Sequence, residues 1–173
     1  IARVRNKEYL KEKSLFSQDL LGVDLIINTQ NLMVSRILSL IEIPGASEVI
    51  DFLDGEVKLV SFLITNDSPL AGVKLTELRT HDPNLLVGAI VRGHKILIPS
   101  GNDAIKPMDL VYLVVKKSDV NQMLTRLGMS TRPAKNIIIV GAGGTGMDIA
   151  RALDNRTLNV RIIDQDGEKC KNA

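Results

Sequence analysis

The chain has 173 residues, of which 45% are hydrophobic and 24% charged, proportions typical of a globular protein with one or two domains. Aromatic residues make up only 3% and the net charge of +2 is spread along the chain, which excludes a base-stacking platform and a basic patch, so we expect no nucleic-acid partner. The single cysteine excludes an intrachain disulfide, and no apolar run reaches the roughly 18 residues of a transmembrane helix.

The first residues have the pattern of the end of an α/β unit. Ile1–Val4 is a short apolar run, residues 8–21 are predicted to form a helix that closes at Gly22, and Val23–Ile27 is predicted to be a short strand. The chain starts without Met and in the middle of this pattern, which we interpret as a segment cut at both ends.

Residues 29–53 are predicted to form two helices joined at Pro44-Gly45. Thr29 is a candidate N-cap for the first helix, and Ser47 begins the second, which would run through Phe52. A dimerising arm and a helical hairpin inside one domain both explain the unusual width of the apolar surface. This surface consists of a stripe at helical spacing, Met33, Ile37, Leu40 and Ile41, and of the flanking Leu32, Val34 and Leu38.

Residues 54–128 alternate between strand and helix patterns in the order β-α-β-β-β-α, which predicts a small α+β domain of mostly antiparallel strands. A hairpin turn is expected at Arg92-Gly93-His94, and the last helix should end at Gly128. The predicted strands are 56–65, 85–91, 95–98 and 110–115, and the predicted helices are 75–79 and 118–127.

The apolar run Ile137–Val140 leads into a glycine-rich turn, GAGGTG, that has the G-x-G-x-x-G pattern of a dinucleotide-binding site. The first glycine permits a tight turn, the second lets a pyrophosphate approach the backbone, and the third lets the next helix pack closely. A second apolar run ends at Asp164, eighteen residues after the last glycine, where a carboxylate accepts hydrogen bonds from a ribose. The predicted nucleotide-binding residues are Gly141, Gly143, Gly144, Gly146 and Asp164.

The alternative to a nucleotide site is a packing turn that requires glycine and binds nothing. The strand–turn–helix–strand–Asp order favours the site, and Asp164 favours an unphosphorylated ribose over the phosphorylated ribose of NADP. NAD(H), ATP and ADP all satisfy this pattern, so the identity of the cofactor stays open. A Rossmann unit also needs further strands beside this pair.

Neither a catalytic residue nor a metal site is predicted. The two histidines lie in turns that fix no common geometry with nearby acids, and solvent exposure explains them better than ligation. Cys170 has no histidine in its own predicted domain, which argues against an enzyme. Arg3 and Arg5 share one face of a strand and are interpreted as a solvated flank rather than a phosphate site. The residues considered for a metal were His81, His94, Asp82 and Asp103.

The order of these parts resembles the TrkA family, the cytosolic regulatory subunits of Trk-type potassium uptake systems. Lys7 stands where members often have Pro, and Asn28-Thr29 stands where they often have Asn-Pro. The resemblance rests on IARVRNKEYL at 1–10, LLGVDLIINTQNL at 20–32, IPGASEVIDFLDGEV at 43–57, SPLAGVKLTELR at 68–79, and IIIVGAGGTG with RIIDQD near the end.

The resemblance implies two RCK units in tandem, each a Rossmann half followed by a small carboxy-terminal half. The fold class would then be α/β and α+β, with a small TrkA-C domain between the end of one Rossmann-like unit and the beginning of a second. The implied boundaries are 1–28 for the first Rossmann end, 29–53 for the helical crossover or dimerisation arm, 54–128 for the TrkA-C domain, and 129–173 for the linker and second Rossmann start.

The resemblance also implies a function without catalysis: a nucleotide-sensing subunit that gates a membrane potassium channel or transporter. It implies a homodimer that assembles into a larger ring, an integral-membrane channel partner of the Trk type, and a cytoplasmic location at the inner face of the plasma membrane. Two alternatives stay open, an NAD-dependent oxidoreductase with a fused small domain and an assembly scaffold that binds no nucleotide.

Overall fold

The structure is a computed structural model that describes residues 1–4, 21–81, 85–129, 131–132, 134–154 and 158–171. The chain divides into two compact units, one formed by Ile1–Leu38 with Lys135–Ala173 and the other by Ser39–Ala134. Most of the helix predicted for residues 8–21 lies outside the described residues. The described elements are the strands β1 (Ala2–Arg3), β2 (Ile26–Ile27), β3 (Glu48–Phe52), β4 (Val57–Leu63), β5 (Leu86–Arg92), β6 (Lys95–Leu97), β7 (Leu110–Lys116), β8 (Asn136–Val140) and β9 (Asn159–Ile163), and the helices α1 (Thr29–Glu42), α2 (Leu75–His81), α3 (Val120–Arg126), α4 (Gly144–Asp154) and α5 (Gly167–Lys171).

In the first unit, β1 pairs in parallel with β2, and α1 follows immediately. The buried Asn28 caps this helix, since its Oδ1 accepts a hydrogen bond from the Asn31 N–H at 2.8 Å. The prediction that Thr29 is the cap is therefore wrong by one residue, because Thr29 already belongs to the helix and a capping side chain has to precede it.

Residues 48–52 form a strand, so the prediction of a second arm helix there is wrong. This strand, β3, pairs antiparallel with β4 from Glu48 opposite Ser61 to Phe52 opposite Val57. The connection between the two strands is a tight turn in which Leu53, Asp54 and Gly55 all have positive φ, between 51° and 89°. Pairing across this hairpin outweighs the weak helical pattern, and the Pro44-Gly45 corner joins a helix to a strand.

The second unit contains one five-stranded antiparallel sheet in the order β3-β4-β7-β5-β6. The predicted β-α-β-β-β-α order is confirmed. The predicted hairpin turn is present, but Arg92 is the last residue of β5, so only Gly93 and His94 connect the two strands. Helices α2 and α3 pack on the same face of this sheet and complete an aliphatic core. Its most buried members are Val60, Phe62, Ile64, Ile90, Ile105, Val111, Leu113, Met123 and Leu124.

The opposite face of this sheet is also apolar. One row across it joins Leu63, Leu110, Val91 and Ile96 on four neighbouring strands. Its outer members Leu63 and Ile96 are 46% and 73% exposed. A solvated face of an antiparallel sheet normally carries polar residues, so this face has the composition of a surface that is covered.

A buried ion pair fixes the loop between β6 and β7. Asp109 is fully buried, and its two carboxylate oxygens accept hydrogen bonds from Arg92 Nε at 2.8 Å and Arg92 Nη2 at 2.7 Å. The same guanidinium donates to the Ala104 carbonyl, and the Lys106 N–H donates to Asp109. These bonds hold the pKa of the Asp109 carboxyl below its ordinary value, with the hydrogen bond from Arg92 as the largest cause.

We predict that Arg92→Met lowers the free energy of unfolding by roughly 2–4 kcal/mol, because it leaves a buried carboxylate without its cation while the arginine itself is about a third exposed. Urea unfolding at neutral pH measures this loss. Lys95→Met, which removes an exposed charge from the same hairpin, is the control and should change stability by less than about 0.5 kcal/mol.

The same pair makes stability depend on pH with a defined sign. Because the folded pKa of Asp109 is below the unfolded value of about 3.9, the stabilisation is complete above that unfolded value and is lost as the pH falls through the folded pKa. Between about pH 5 and pH 2 the Arg92→Met variant should therefore lose less stability than the parent protein. If the free energy of unfolding fell equally with pH in the two proteins, the pair of Arg92 and Asp109 would not be the cause of the pH dependence.

Candidate functional site

The parallel pairing of β8 with β9 brings the glycine turn and Asp164 to one edge of the sheet. Val140 lies opposite Ile163, so Gly141 and Asp164 both leave the carboxyl ends of their strands at the same level. The Gly141 N–H donates to the Ile163 carbonyl at 2.8 Å and extends the ladder by one bond. Nucleotides bind at this edge of an open α/β sheet, and the structure thus brings together the residues predicted to bind one.

Asp164 binds the backbone of the turn itself. Its Oδ2 accepts a hydrogen bond from the Ala142 N–H at 2.6 Å, and its Oδ1 accepts one from the Asp166 N–H at 2.9 Å. These bonds, with the Asp166 N–H as the largest cause, hold the pKa of the Asp164 carboxyl below its ordinary value, and the positive charge of Lys169 acts in the same direction. The carboxylate is therefore ionised at neutral pH and fixed in orientation.

The glycines of the turn meet different physical requirements. Gly141 has a φ of +107°, a backbone conformation that side chains other than glycine rarely adopt. A Cβ at Gly146 would lie 2.0 Å from the Gly141 carbonyl oxygen, so the third glycine is required for the approach of helix to strand. A Cβ at Gly143 would meet nothing within 4 Å, which leaves space beside the backbone where a pyrophosphate is expected.

Helix α4 begins at Gly144, and its buried residues are Ile149 and Leu153. Its first turn closes with the Met147 N–H donating to the Gly143 carbonyl at 3.0 Å. By helix geometry the preceding N–H groups point out of the helix end, where they and the helix dipole favour an anion. The turn thus offers hydrogen-bond donors, and Asp164 offers acceptors.

A cavity of about 250 Å³ lies in the same unit as this turn. Its walls come from the later residues of α4, from β9 and from α5, and none of its described lining residues belongs to the glycine turn. Cys170, half-buried, contributes to the lining. In an open α/β sheet a following helix packs into a groove of this kind, and the cavity is explained by packing. The lining residues are Ala150, Arg151, Asp154, Val160, Ile162 and Cys170.

The residues that were considered as metal or phosphate ligands have other surroundings. Asp103 accepts hydrogen bonds from the Ser100 N–H at 2.7 Å and the Ser100 hydroxyl at 2.9 Å, so it stabilises a loop. His94 is exposed in the β5–β6 turn, and Arg3 belongs to β1. Among the residues that the structure describes, no three His, Cys, Asp or Glu side chains are grouped to hold a metal ion. Arg5, Asp82 and the side chain of His81 lie outside them.

Sequence reasoning missed Gln30. Its side-chain amide donates a hydrogen bond to Asp148 of α4, and its nitrogen is 3.2 Å from the place that a Cβ of Gly144 would occupy. The two partners are 118 positions apart in the sequence, and neither belongs to a motif, so no local pattern signals the contact.

None of the described helices is long and apolar enough to cross a bilayer.

Residues 59–128 match the family model of the TrkA-C domain. The Trk system potassium uptake protein TrkA of Halomonas elongata is 33% identical over 172 residues, which cover 98% of this chain and 37% of that protein. The TrkA protein of Vibrio alginolyticus is 32% identical over 174 residues, which cover 99% of this chain and 38% of that protein. The chain therefore spans well under half the length of these relatives.

Solved structures of RCK proteins share the fold. The GsuK RCK domain superposes with a TM-score of 0.53 at 18% identity and covers 95% of this chain and 35% of its own. The GsuK channel bound to NAD gives a TM-score of 0.53 at 18% identity over 95% of this chain and 29% of its own. Together with the TrkA-C match, these similarities confirm the predicted fold class, a small RCK carboxy-terminal domain with Rossmann-like flanks.

The glycines allow packing and ligand access to be separated by mutation. We predict that Gly146→Ala destabilises the unit that holds α4 by about 2–3 kcal/mol, because the new methyl group would overlap the Gly141 carbonyl. Gly143→Ala should leave the stability of the unit within about 0.5 kcal/mol of the parent, because a methyl group there has open space. Hydrogen exchange of the α4 amides measures the stability of the unit in both variants. Equal destabilisation by Gly146→Ala and Gly143→Ala would contradict the assignment of packing to Gly146 and ligand access to Gly143.

Proposed function

Because this chain belongs to the TrkA family, we propose that it is part of a nucleotide-sensing regulatory subunit that gates a membrane potassium uptake channel or transporter. The observation that carries the proposal is the meeting of the glycine turn and Asp164 at one edge of the β8–β9 pair. The names of the TrkA relatives support the link to potassium uptake.

The ligand that this site fits is an adenine nucleotide, NAD(H), ATP or ADP. Its phosphates would lie at Gly143 and the N-terminus of α4, where the backbone is open and the N–H groups point outward. The ribose would bind Asp164, whose carboxylate has about four acceptor positions and uses two of them for the Ala142 and Asp166 amides. An RCK channel solved with NAD supports NAD(H) as one candidate.

The subunit would act as a homodimer within a larger ring, in the cytoplasm at the inner face of the plasma membrane, against an integral-membrane channel subunit of the Trk type. The exposed apolar side chains of α1 support self-association: Leu32 is 59% exposed and Met33 is 52% exposed, whereas Val34 on the same helix is buried. Ile37 and Ile41, also predicted for this contact, are partly buried.

Gating requires that the nucleotide binds one arrangement of the subunit better than another. A ligand shifts such an equilibrium only by the difference in its affinity for the two arrangements. The candidates for the hinge are two segments that join neighbouring parts of the chain. These are the Pro44-Gly45 corner, where Gly45 has a φ of +83°, and the segment 129–135.

Two other functions are distinguishable by experiment. An NAD-dependent oxidoreductase requires a proton-transfer group close to the reacting atom, and sustained NADH oxidation that disappears with Gly143→Val would favour it. An assembly scaffold would show no nucleotide binding at all. We expect binding without turnover, since the nucleotide is a signal in the proposed function.

We predict that Asp164→Asn weakens nucleotide binding by about 1–3 kcal/mol, because the ribose hydroxyls lose a charged acceptor. Calorimetry of the purified protein with NAD, NADH, ATP and ADP measures this loss and identifies the ligand. Asp154→Asn, the same change in the same unit away from the glycine turn, is the control and should leave affinity unchanged. Equal affinities of the Asp164→Asn variant and the parent, with exchange protection of the Ala142 amide intact, would refute the ribose assignment.

We predict that Met33→Asp reduces self-association. Met33 is exposed within one chain, so a charge there should spare the folded monomer and cost about 1–3 kcal/mol only where the side chain becomes desolvated in a contact. Light scattering across a concentration series measures the change. Lys117→Asp, a charge change on an exposed residue of the small domain, is the control. A parent protein that stays monomeric at high concentration would refute the arm as a dimer contact.

A further inference from the structure

The side chain of Gln30 connects α1, the helix of the arm, to α4, the helix that follows the glycine turn. Gln30 is the second residue of α1, and its side-chain amide donates to Asp148 Oδ2 on α4. Both residues belong to the unit that also contains the glycine turn. A segment predicted to contact other subunits is therefore joined, at its first turn, to the helix predicted to receive the phosphates.

Two features make this contact specific. The Asp148 side chain is only 9% exposed, and a buried carboxylate needs hydrogen-bond donors, which Gln30 supplies. Arg151 lies 3.9 Å from the same carboxylate but is 68% exposed, so water screens most of its attraction. The Gln30 amide also lies against Gly144, where a Cβ would be 3.2 Å from its nitrogen.

The other end of the contact is equally constrained. Asn28 is buried and caps α1 through the Asn31 N–H, and the Leu32 N–H donates to the Asn28 carbonyl at 3.1 Å. The first turn of the helix is thus formed and anchored directly after β2. A displacement of Gln30 would move this whole turn, because its backbone is hydrogen-bonded on both sides of that residue.

We propose that Gln30 is a positioning residue that couples nucleotide occupancy of the glycine turn to the position and order of the arm helix. The proposal deepens the nucleotide-sensing function and rests on it. Phosphates at the N-terminus of α4 approach Gly144, the residue that the Gln30 amide touches, and Asp148 lies one turn further along the same helix. Occupancy therefore changes the surroundings of both contacts that Gln30 makes with α4.

The coupling is reciprocal by thermodynamic necessity. If bound nucleotide strengthens the contact between Gln30 and Asp148, then an intact contact raises nucleotide affinity by the same factor. Removing Gln30 should accordingly lower affinity several-fold and uncouple the arm, whereas loss of the ribose contact at Asp164 lowers affinity but leaves the arm response of the nucleotide-bound protein intact. This difference separates a positioning role from direct ligand binding.

Hydrogen exchange of residues 29–38, measured with and without saturating ATP or NADH, tests the proposal on the purified protein. We expect nucleotide to increase protection of this segment in the parent and to leave it unchanged in Gln30→Leu. Asp148→Asn retains an amide oxygen that accepts from Gln30, so it should keep most of the response. Gln122→Leu makes the same chemical change on the exposed side of α3 and should behave like the parent.

The double variant Gln30→Leu, Asp148→Leu should lose no more of the response than either single variant, since both remove one contact. If Gln30→Leu does not fold, Gln30→Asn shortens the side chain with less disturbance and should show the same loss. Binding by the parent together with a normal arm response in Gln30→Leu or Gln30→Asn overturns the coupling and leaves the nucleotide site standing. An absence of binding by the parent overturns both proposals.

Discussion

The close approach of Gly146 to the Gly141 carbonyl determines the geometry of the candidate site. There is no space for a Cβ between these two residues, so the first turn of α4 lies directly against the end of β8. The first N–H groups of α4 therefore lie at the same edge of the sheet as Asp164. The contact between the Asp164 carboxylate and the Ala142 amide depends on that approach, as does the fit of Gln30 against Gly144. One steric constraint therefore sets the donors, the acceptor and the connection to the arm.

The small domain is organised by a different principle. Its core is held by hydrophobic contacts, which have no preferred direction. Its longest loop is instead held by the fully buried carboxylate of Asp109, which accepts two hydrogen bonds from the Arg92 guanidinium. Arg92 is the last residue of β5 and Asp109 directly precedes β7, so the pair joins two neighbouring strands at the end of the long loop between β6 and β7. Directional bonds thus define a loop that hydrophobic packing alone would leave variable.

Features with a local cause were predictable from the sequence. The glycine turn, the helix after it and the strand that ends at Asp164 follow from residue spacing within about thirty positions. The segment 48–52 was not predictable because five residues with mixed pattern gain their structure from pairing with β4. The contacts of Gln30 with Asp148 and of Arg92 with Asp109 were not predictable for a related reason. In each contact the two side chains meet only because the fold brings their elements together, and no local sequence pattern indicates that meeting.

The contact between Gln30 and Asp148 has a consequence for the order of folding. It joins two chain segments of one unit that are separated in the sequence by the whole small domain. Bringing the ends of a flexible loop together costs conformational entropy, and this cost grows with the length of the loop. The small domain has its own core, so it can form first and replace a flexible loop by an ordered body. We therefore expect the antiparallel hairpins, whose partners are close in the sequence, to form early and the discontinuous unit, with its high contact order, to assemble last.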